Sequence, residues 1–389
     1  MTSRSRLFVL LVSSPLIALV IVGGLLGRMA SGAESYNYLK VFHEVVGLVL
    51  ANYVEEVEPD RIMTGAMRGL ANGLDPDSAW LTPEQAQIAR ETGSLPAGSV
   101  GLELTRQYYL RVIAAQDGSP AARAGLTTGD YIRAINGEST RDMSVWEGQR
   151  LLRGEPGTKV KLTVLRGASA EPHDIELTRE PMPRDTVSGR IVKPGVGLMR
   201  IAAFTDRTPQ EVRQQVNALR RAGAEHLVLD LRRTAAGSPE LGIKVARLFV
   251  ASGTLGIREA RSEGRQTFTA ESGDGTITLP VTILTDNGTA GAAEIFAAAL
   301  VGNKRATLVG ERTLGRAATQ ELIPLPDGSA LWMSTARFLA PDATPIHAKG
   351  LTPDVEVKSV TSAEFGDKVP ETDPVLDKAL ELVAARPAA

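Results

Sequence analysis

The 389-residue sequence predicts an α/β fold in two or three units, with its bulk exported from the cytoplasm. Three observations carry this prediction. Between residues 187 and 360, short apolar strands alternate with amphipathic helices, the pattern of a largely parallel sheet. Leu7 to Leu26 is twenty residues without a charge, enough for about 30 Å of helix and so one hydrocarbon core. Cysteine is absent, which excludes a disulfide scaffold, a thiolate zinc site and a Cys nucleophile.

Arg4 and Arg6 precede the apolar run and favour an inside N-terminus. The run reads as an uncleaved membrane anchor, and Pro15 is tolerable there. A cleaved signal peptide is the alternative, since Ala30-Ser31-Gly32-Ala33 offers small residues for cleavage. Either reading places the remainder in a bacterial periplasm. Residues 36–90 read as helical: Val41, Val45, Leu48 and Val49 recur at helical spacing, as do Ile62, Ala66 and Leu70. The net charge of −2 is evenly spread, so no nucleic-acid partner is expected. His43, His173, His226 and His347 lie far apart, and no HExxH, Walker A or GxSxG pattern occurs, so neither metal nor cofactor is expected.

Within the α/β part, Thr208 is expected to cap a helix that Pro209 begins; Val212, Val216 and Leu219 share one face, and Gly223 ends it. An apolar strand from His226 to Leu231 follows, then a helix through Val245 to Phe249, then the strand Val281 to Thr285. The chain closes on a short helix capped by Asp373 and begun by Pro374, with Leu376, Leu380 and Val383 as its apolar stripe. That helix suits packing on its own domain or pairing with a second copy in a homo-oligomer.

The stretch from Thr285 reads TDNGTAGAAEIFAAAL, and from Gly310 GERTLGRAATQ. It resembles the active-site segment of the carboxyl-terminal processing (tail-specific) peptidases of family S41, S-A-S-A-S-E-I followed by T-F-G-K-G-x-V-Q. The phrases LANYVEEVEPDRIMTGAMRGLANGLDPDSAWLTPEQ and SALWMSTARFLAPDATPIHAKGLTPDVEV resemble the same family on either side, so the likeness spans nearly everything after residue 36. It implies a crotonase-like (ββα) core. The segments are then 1–33, anchor or signal peptide; 34–92, helical; 93–182, an inserted PDZ domain; 183–360, protease core; and 361–389, tail helix.

In that family a serine attacks the peptide and a lysine takes its proton. Anchoring on Glu294 and Ile295 puts the nucleophile position at Gly291; anchoring on Thr313, Gly315 and Gln320 puts the base position at Arg316. The interval, 316 − 291 = 25, is the family's own. Gly291 has no atom that attacks, and an arginine keeps its proton. Neutralising it at pH 7 would cost about 8 kcal/mol, from roughly six pKa units at about 1.36 kcal/mol each. The oxyanion segment departs as well. Leu229-Asp230-Leu231-Arg232 matches the family's L-D-L-R, but the Gly-rich turn that follows there reads Arg233-Thr234-Ala235-Ala236-Gly237 here. A β-carbon at Ala236 disfavours positive φ and would crowd a substrate. Gln320, which in active relatives supports the lysine, and Glu294 keep the family's identities. Thr289, with Lys304 as base, is the fallback nucleophile; its simpler role is a turn residue beside Gly288 that opens the helix starting near Gly291, as its N-cap.

The run GSPAARAGLTTGDYIRAINGEST, from Gly118 to Thr140, resembles a PDZ domain. That resemblance implies a carboxylate-binding loop at Ser99-Val100-Gly101-Leu102, with Ser99 where many members have glycine. A peptide tail would add a strand beside Glu103-Leu104, under a helix from Val145 to Leu152 carrying Trp146. Three functions follow as expectations. The first is an inactive envelope homologue that binds C-terminal tails of exported proteins and scaffolds or regulates an active protease. The second is a serine-type endopeptidase with an unorthodox nucleophile. The third is a structural envelope protein whose groove is occluded.

Overall fold

The computed structural model describes residues 37–91, 96–167, 171–360 and 372–385. The anchor or signal peptide read at Leu7–Leu26 lies outside the described residues. Among these, no helix is long and apolar enough to cross a membrane.

The chain divides into two compact units, one ending at Leu70 and the other running from Ala71 to the C-terminus. The first holds a helix at 37–52 and most of a helix at Pro59–Asn72. Both arise where the helical spacing predicts them. The apolar stripe of the first helix is not buried among the described residues: Val45 is 51% and Leu48 63% exposed.

The larger unit centres on a six-stranded sheet in the order Val187–Lys193, Val196–Ile201, His226–Asp230, Val281–Thr285, Ala306–Gly310, Val355–Glu356. The first pair is antiparallel and the other neighbours are parallel. The predicted α/β class is therefore the observed one. Every residue of Val281–Thr285 is buried, as a central parallel strand covered on both faces requires. One face packs on the helices Thr208–Arg221, Pro239–Ala246 and Ala292–Gly302 through Met199, Leu229, Ile283, Phe249 and Phe296. The other packs on the final helix, Pro374–Ala384, where Val375, Ala379 and Leu380 meet Val228, Leu284 and Val309. That helix thus covers its own domain.

Three local expectations are corrected. Residues 36–90 are not helical throughout: Ala79–Leu81 is a strand that extends a second sheet by pairing with Ala330–Leu339. Its pairing partner lies some 250 residues away and leaves no local periodicity. The helix read through Val245–Phe249 ends at Ala246, and Leu248 and Phe249 close it as turns. Thr208 does not cap from outside; it is the first helical residue, and its hydroxyl accepts the Thr205 N–H at 2.8 Å to hold the preceding turn.

Residues 98–181 form a separate sheet-and-helix body. Leu102–Gln107, Tyr109–Ala115, Tyr131–Ile135, Lys159–Leu165 and His173–Thr178 make one antiparallel sheet, with Leu102–Gln107 at its edge. The helix Val145–Leu152 lies on it, Gly148 being the glycine that lets the helix approach Leu110; a Cβ there would stand 2.2 Å from that side chain. A buried Arg166–Asp130 pair, bonded twice at 2.7 Å, closes the bottom of this body.

Candidate active site

The strand Val281–Thr285 delivers the chain into a tight turn and then into the buried helix Ala292–Gly302. Asp286 builds the turn: its carboxylate accepts the N–H groups of Arg233 and Gly288, both at 2.9 Å. Burial raises the Asp286 pKa, while those donors and the nearby Arg233 charge pull it back. Thr289 is fully buried; its hydroxyl accepts the Asp286 N–H at 3.1 Å and donates to the Leu231 carbonyl at 2.9 Å. Thr289 is thus the turn residue the sequence suggested, but the N-cap is Gly291, and the capping role read for Thr289 is corrected.

Gly291 sits at φ 61°, ψ −123°, a conformation glycine adopts freely and L-residues rarely do. Space is not the constraint. A Cβ added there would lie 3.7 Å from the carbonyl oxygens of Ala235, Gly237 and Arg316.

Glu294, one turn into the helix and wholly buried, ties this corner together. It accepts the Gly291 N–H at 3.1 Å, the Gly315 N–H at 2.7 Å, the Arg316 N–H at 2.8 Å and the Thr313 hydroxyl. The four donors hold the 313–316 loop against the start of the helix. Burial pushes the Glu294 carboxyl up to about 7 against their opposing pull. Its role is to set the distance between positions 291 and 316.

Arg316 turns its side chain away from any proton transfer. Nε donates to Asp77 Oδ2 at 3.0 Å, and Nη1 stands 3.5 Å from Glu103 Oε2. Burial alone would lower its pKa, but Asp77 and Glu103 more than offset that, and the net direction is upward. The guanidinium stays charged.

Gly291, Arg316 and Gln320 come together in one cleft of about 240 Å³ with Ala235, Gly237, Thr319 and Glu103. Gln320 donates to Ser334 Oγ at 3.3 Å. The oxyanion turn folds differently from expectation. Positive φ falls on Arg233 and Gly237, not on Ala236, whose β-carbon is therefore unstrained. Gly237, at φ 118°, is required by contact: a Cβ would lie 2.3 Å from the Phe204 carbonyl oxygen. Lys304 is exposed beyond the far end of the 11-residue helix, about 17 Å of rise from Gly291. It is not placed to serve Thr289 or the cleft. Sequence reading missed Asp77, the pairing of Glu103 with Arg316, and the hydroxyls of Ser238 and Thr319 on the cleft wall. Asp77 lies in Leu74-Asp75-Pro76-Asp77-Ser78 within the phrase quoted above, where nothing local marks it as a partner of Arg316.

The expected carboxylate loop is internally satisfied. Gly98–Ser99 is the middle strand between Glu180–Pro181 and Arg153–Gly154. The Ser99 hydroxyl accepts the Gly101 N–H at 3.1 Å. Val100 and Leu102 are buried in the core of this body rather than lining an open pocket. Trp146 packs with Leu81, Ala86, Leu322 and Trp332 beside the second sheet, so it does not close the peptide groove.

A buried helix start facing the 313–316 loop across a cleft, on a mostly parallel sheet with an inserted antiparallel body, is the arrangement of a processing-peptidase scaffold with a PDZ domain. The model of peptidase family S41 matches residues 195–357, and a PDZ-domain model matches residues 111–166. The chain is 33% identical over 321 residues to the carboxyl-terminal-processing protease of Synechocystis sp., covering 81% of this chain and 75% of that protein. It is 29% identical over 366 residues to the carboxy-terminal processing protease CtpA of Bacillus subtilis, covering 92% and 78%. Among solved structures, the photosystem II D1 C-terminal processing protease superposes with a TM-score of 0.67 at 28% identity, over 82% of this chain and 92% of that one. The chain belongs to peptidase family S41, among the homologues of the carboxyl-terminal processing proteases.

Proposed function

We propose that this protein is a non-cleaving member of its family, one that binds C-terminal tails through the PDZ domain at the cell envelope. One observation carries the reading: the position aligned with the nucleophile has no side chain, while the group aligned with the base is a guanidinium held between two carboxylates. A proton cannot leave Arg316 near neutral pH, and with the dyad gone the oxyanion donors and binding alone supply about 10³–10⁴-fold over water in the serine-protease template. The envelope location rests on the Leu7–Leu26 run, and tail binding rests on the PDZ resemblance and its free edge strand.

The competing reading, a serine-type endopeptidase with a different nucleophile, draws support from Thr319. Its hydroxyl is buried on the cleft wall without a hydrogen-bond partner. The two readings separate in a cleavage assay of the full-length chain against an unfolded protein with an apolar C-terminus. The natural chain is expected to give no product above a blank, with Gly291→Ser plus Arg316→Lys as the arm that measures what a restored dyad recovers. Turnover by the natural chain that Thr289→Ala, Ser238→Ala or Thr319→Ala abolishes would overturn the non-cleaving reading.

A further inference from the structure

Several contacts join the PDZ domain to the rest of the larger unit, among them Trp146, which packs against the cluster of Ala79, Leu81, Ala86, Ala89 and Ala330. Ile113 and Ala114 share a buried cluster with Ala235, Ala290 and Leu314. Asp117 takes a forked pair from Arg200, at 2.8 and 3.2 Å. Glu103 faces Arg316 at 3.5 Å, and the same guanidinium holds Asp77 at 3.0 Å.

The last contact joins three separate parts of the chain. Asp77 lies in the turn before the strand Ala79–Leu81, Glu103 on the PDZ edge strand, and Arg316 in the loop that Glu294 fixes. Leu102 and Leu104 point into the PDZ core, so the period of two puts Glu103 on the opposite face, at the rim of the cleft. A planar fork reaches two carboxylates on different edges at once, whereas an ammonium is a single point. Asp77 is only 6% exposed, and the side chains of Arg316 and Glu103 are 22% and 32% exposed. Charges kept this dry are costly unless geometry is maintained, and breaking one partner favours an arrangement in which the other is hydrated.

We infer that Arg316 is an interdomain clasp, pinning the PDZ edge strand Leu102–Gln107 to the rim of the cleft and holding the PDZ domain in one docked orientation. The residue at the family's base position then has a positioning role of its own. This does not depend on whether the chain cuts peptides, because the three-way contact is the same in either case.

The absence of cysteine makes the test clean, since two introduced thiols are the sole labelling sites. In the full-length chain, spin labels at Glu138→Cys on the PDZ domain and Arg213→Cys on the core, both exposed, report the interdomain distance. The natural residues at 103 and 316 should give one narrow distribution. Glu103→Gln should add a second population, with the open-to-docked ratio rising roughly tenfold, within the range of direct pairwise couplings. Arg316→Gln should do the same, and combining the two should add nothing further. Should Arg316→Gln fail to fold, Glu103→Gln decides alone. An unchanged distribution in folded Glu103→Gln overturns the clasp and assigns the docking to the remaining contacts: the Ile113–Ala235 cluster, Trp146 and the Arg200–Asp117 pair.

Discussion

At position 294 a single carboxylate governs the spacing of the whole cleft. Four donors occupy its four lone-pair directions, so protonation requires one of them to turn away. The Thr313 hydroxyl is the donor able to reverse, because the other three are backbone N–H groups. With the folded-state value at about 7 and the ordinary value at 4.5, the folded chain binds this proton while the unfolded chain has already lost it. Stability on account of Glu294 is therefore greatest below about pH 4.5 and falls as pH rises toward 7, by roughly 3 kcal/mol. Denaturant titrations across pH 5 to 8 should show that slope in the natural chain and its loss in Glu294→Gln. An identical slope in both assigns the pH dependence to other groups. Position 291 illustrates the complementary point: glycine there is demanded by backbone angle rather than by crowding, so a side chain would be strained yet would fit.

Elements meet here through close backbone approach and through charged end-caps. Gly242 lets the helix Pro239–Ala246 lie against the start of Ala292–Gly302; a Cβ would stand 2.3 Å from the Ala292 carbonyl oxygen. The final helix is fastened at its N-terminus. Asp373 accepts the Leu376 N–H at 3.0 Å and pairs twice with Arg232, which also grips Asp230 at the end of a central strand. Burial would raise the Asp373 and Asp230 pKa values, but the bonds from Arg232 carry both below the usual carboxylate range. Asp373→Ala removes a cap and a charge-assisted pair together and should cost about 2–3 kcal/mol. Thermal unfolding measures the loss, and limited proteolysis should find the last helix released first. A change within 0.5 kcal/mol would mean that Val375, Ala379 and Leu380 hold that helix unaided.

For the whole molecule, the question is what the PDZ domain does while docked. Among the described residues its edge strand has no further neighbour, and on the proposed tail-binding reading the Gly101 N–H meant for the carboxylate is already engaged by the Ser99 hydroxyl. A tail must displace that bond, so Ser99→Gly should tighten binding roughly threefold to tenfold, the worth of one net hydrogen bond. Calorimetry with an apolar peptide bearing a free C-terminus, beside its amidated twin, measures both claims. Equal heats from the two peptides would count against tail capture. The same docking sets Trp146 against the cluster of Ala79, Leu81, Ala86, Ala89 and Ala330.

The chain's own residues determined the elements and the register of the site. Strand and helix patterns located the core sheet and the capped final helix, because such patterns are repeated locally and survive any tertiary arrangement, while the PDZ resemblance supplied the helix Val145–Leu152. The family resemblance, anchored on Glu294, Thr313, Gly315 and Gln320, marked Gly291 and Arg316 as the paired positions, and one cleft contains both. Tertiary structure alone decided what surrounds them. Asp77 reaches Arg316 across 239 positions of sequence, and Trp146 packs against a cluster built from residues 79–89 and Ala330, far from it in the chain. Burial and ion pairing depend on which surfaces meet, and no stretch of neighbouring residues encodes that.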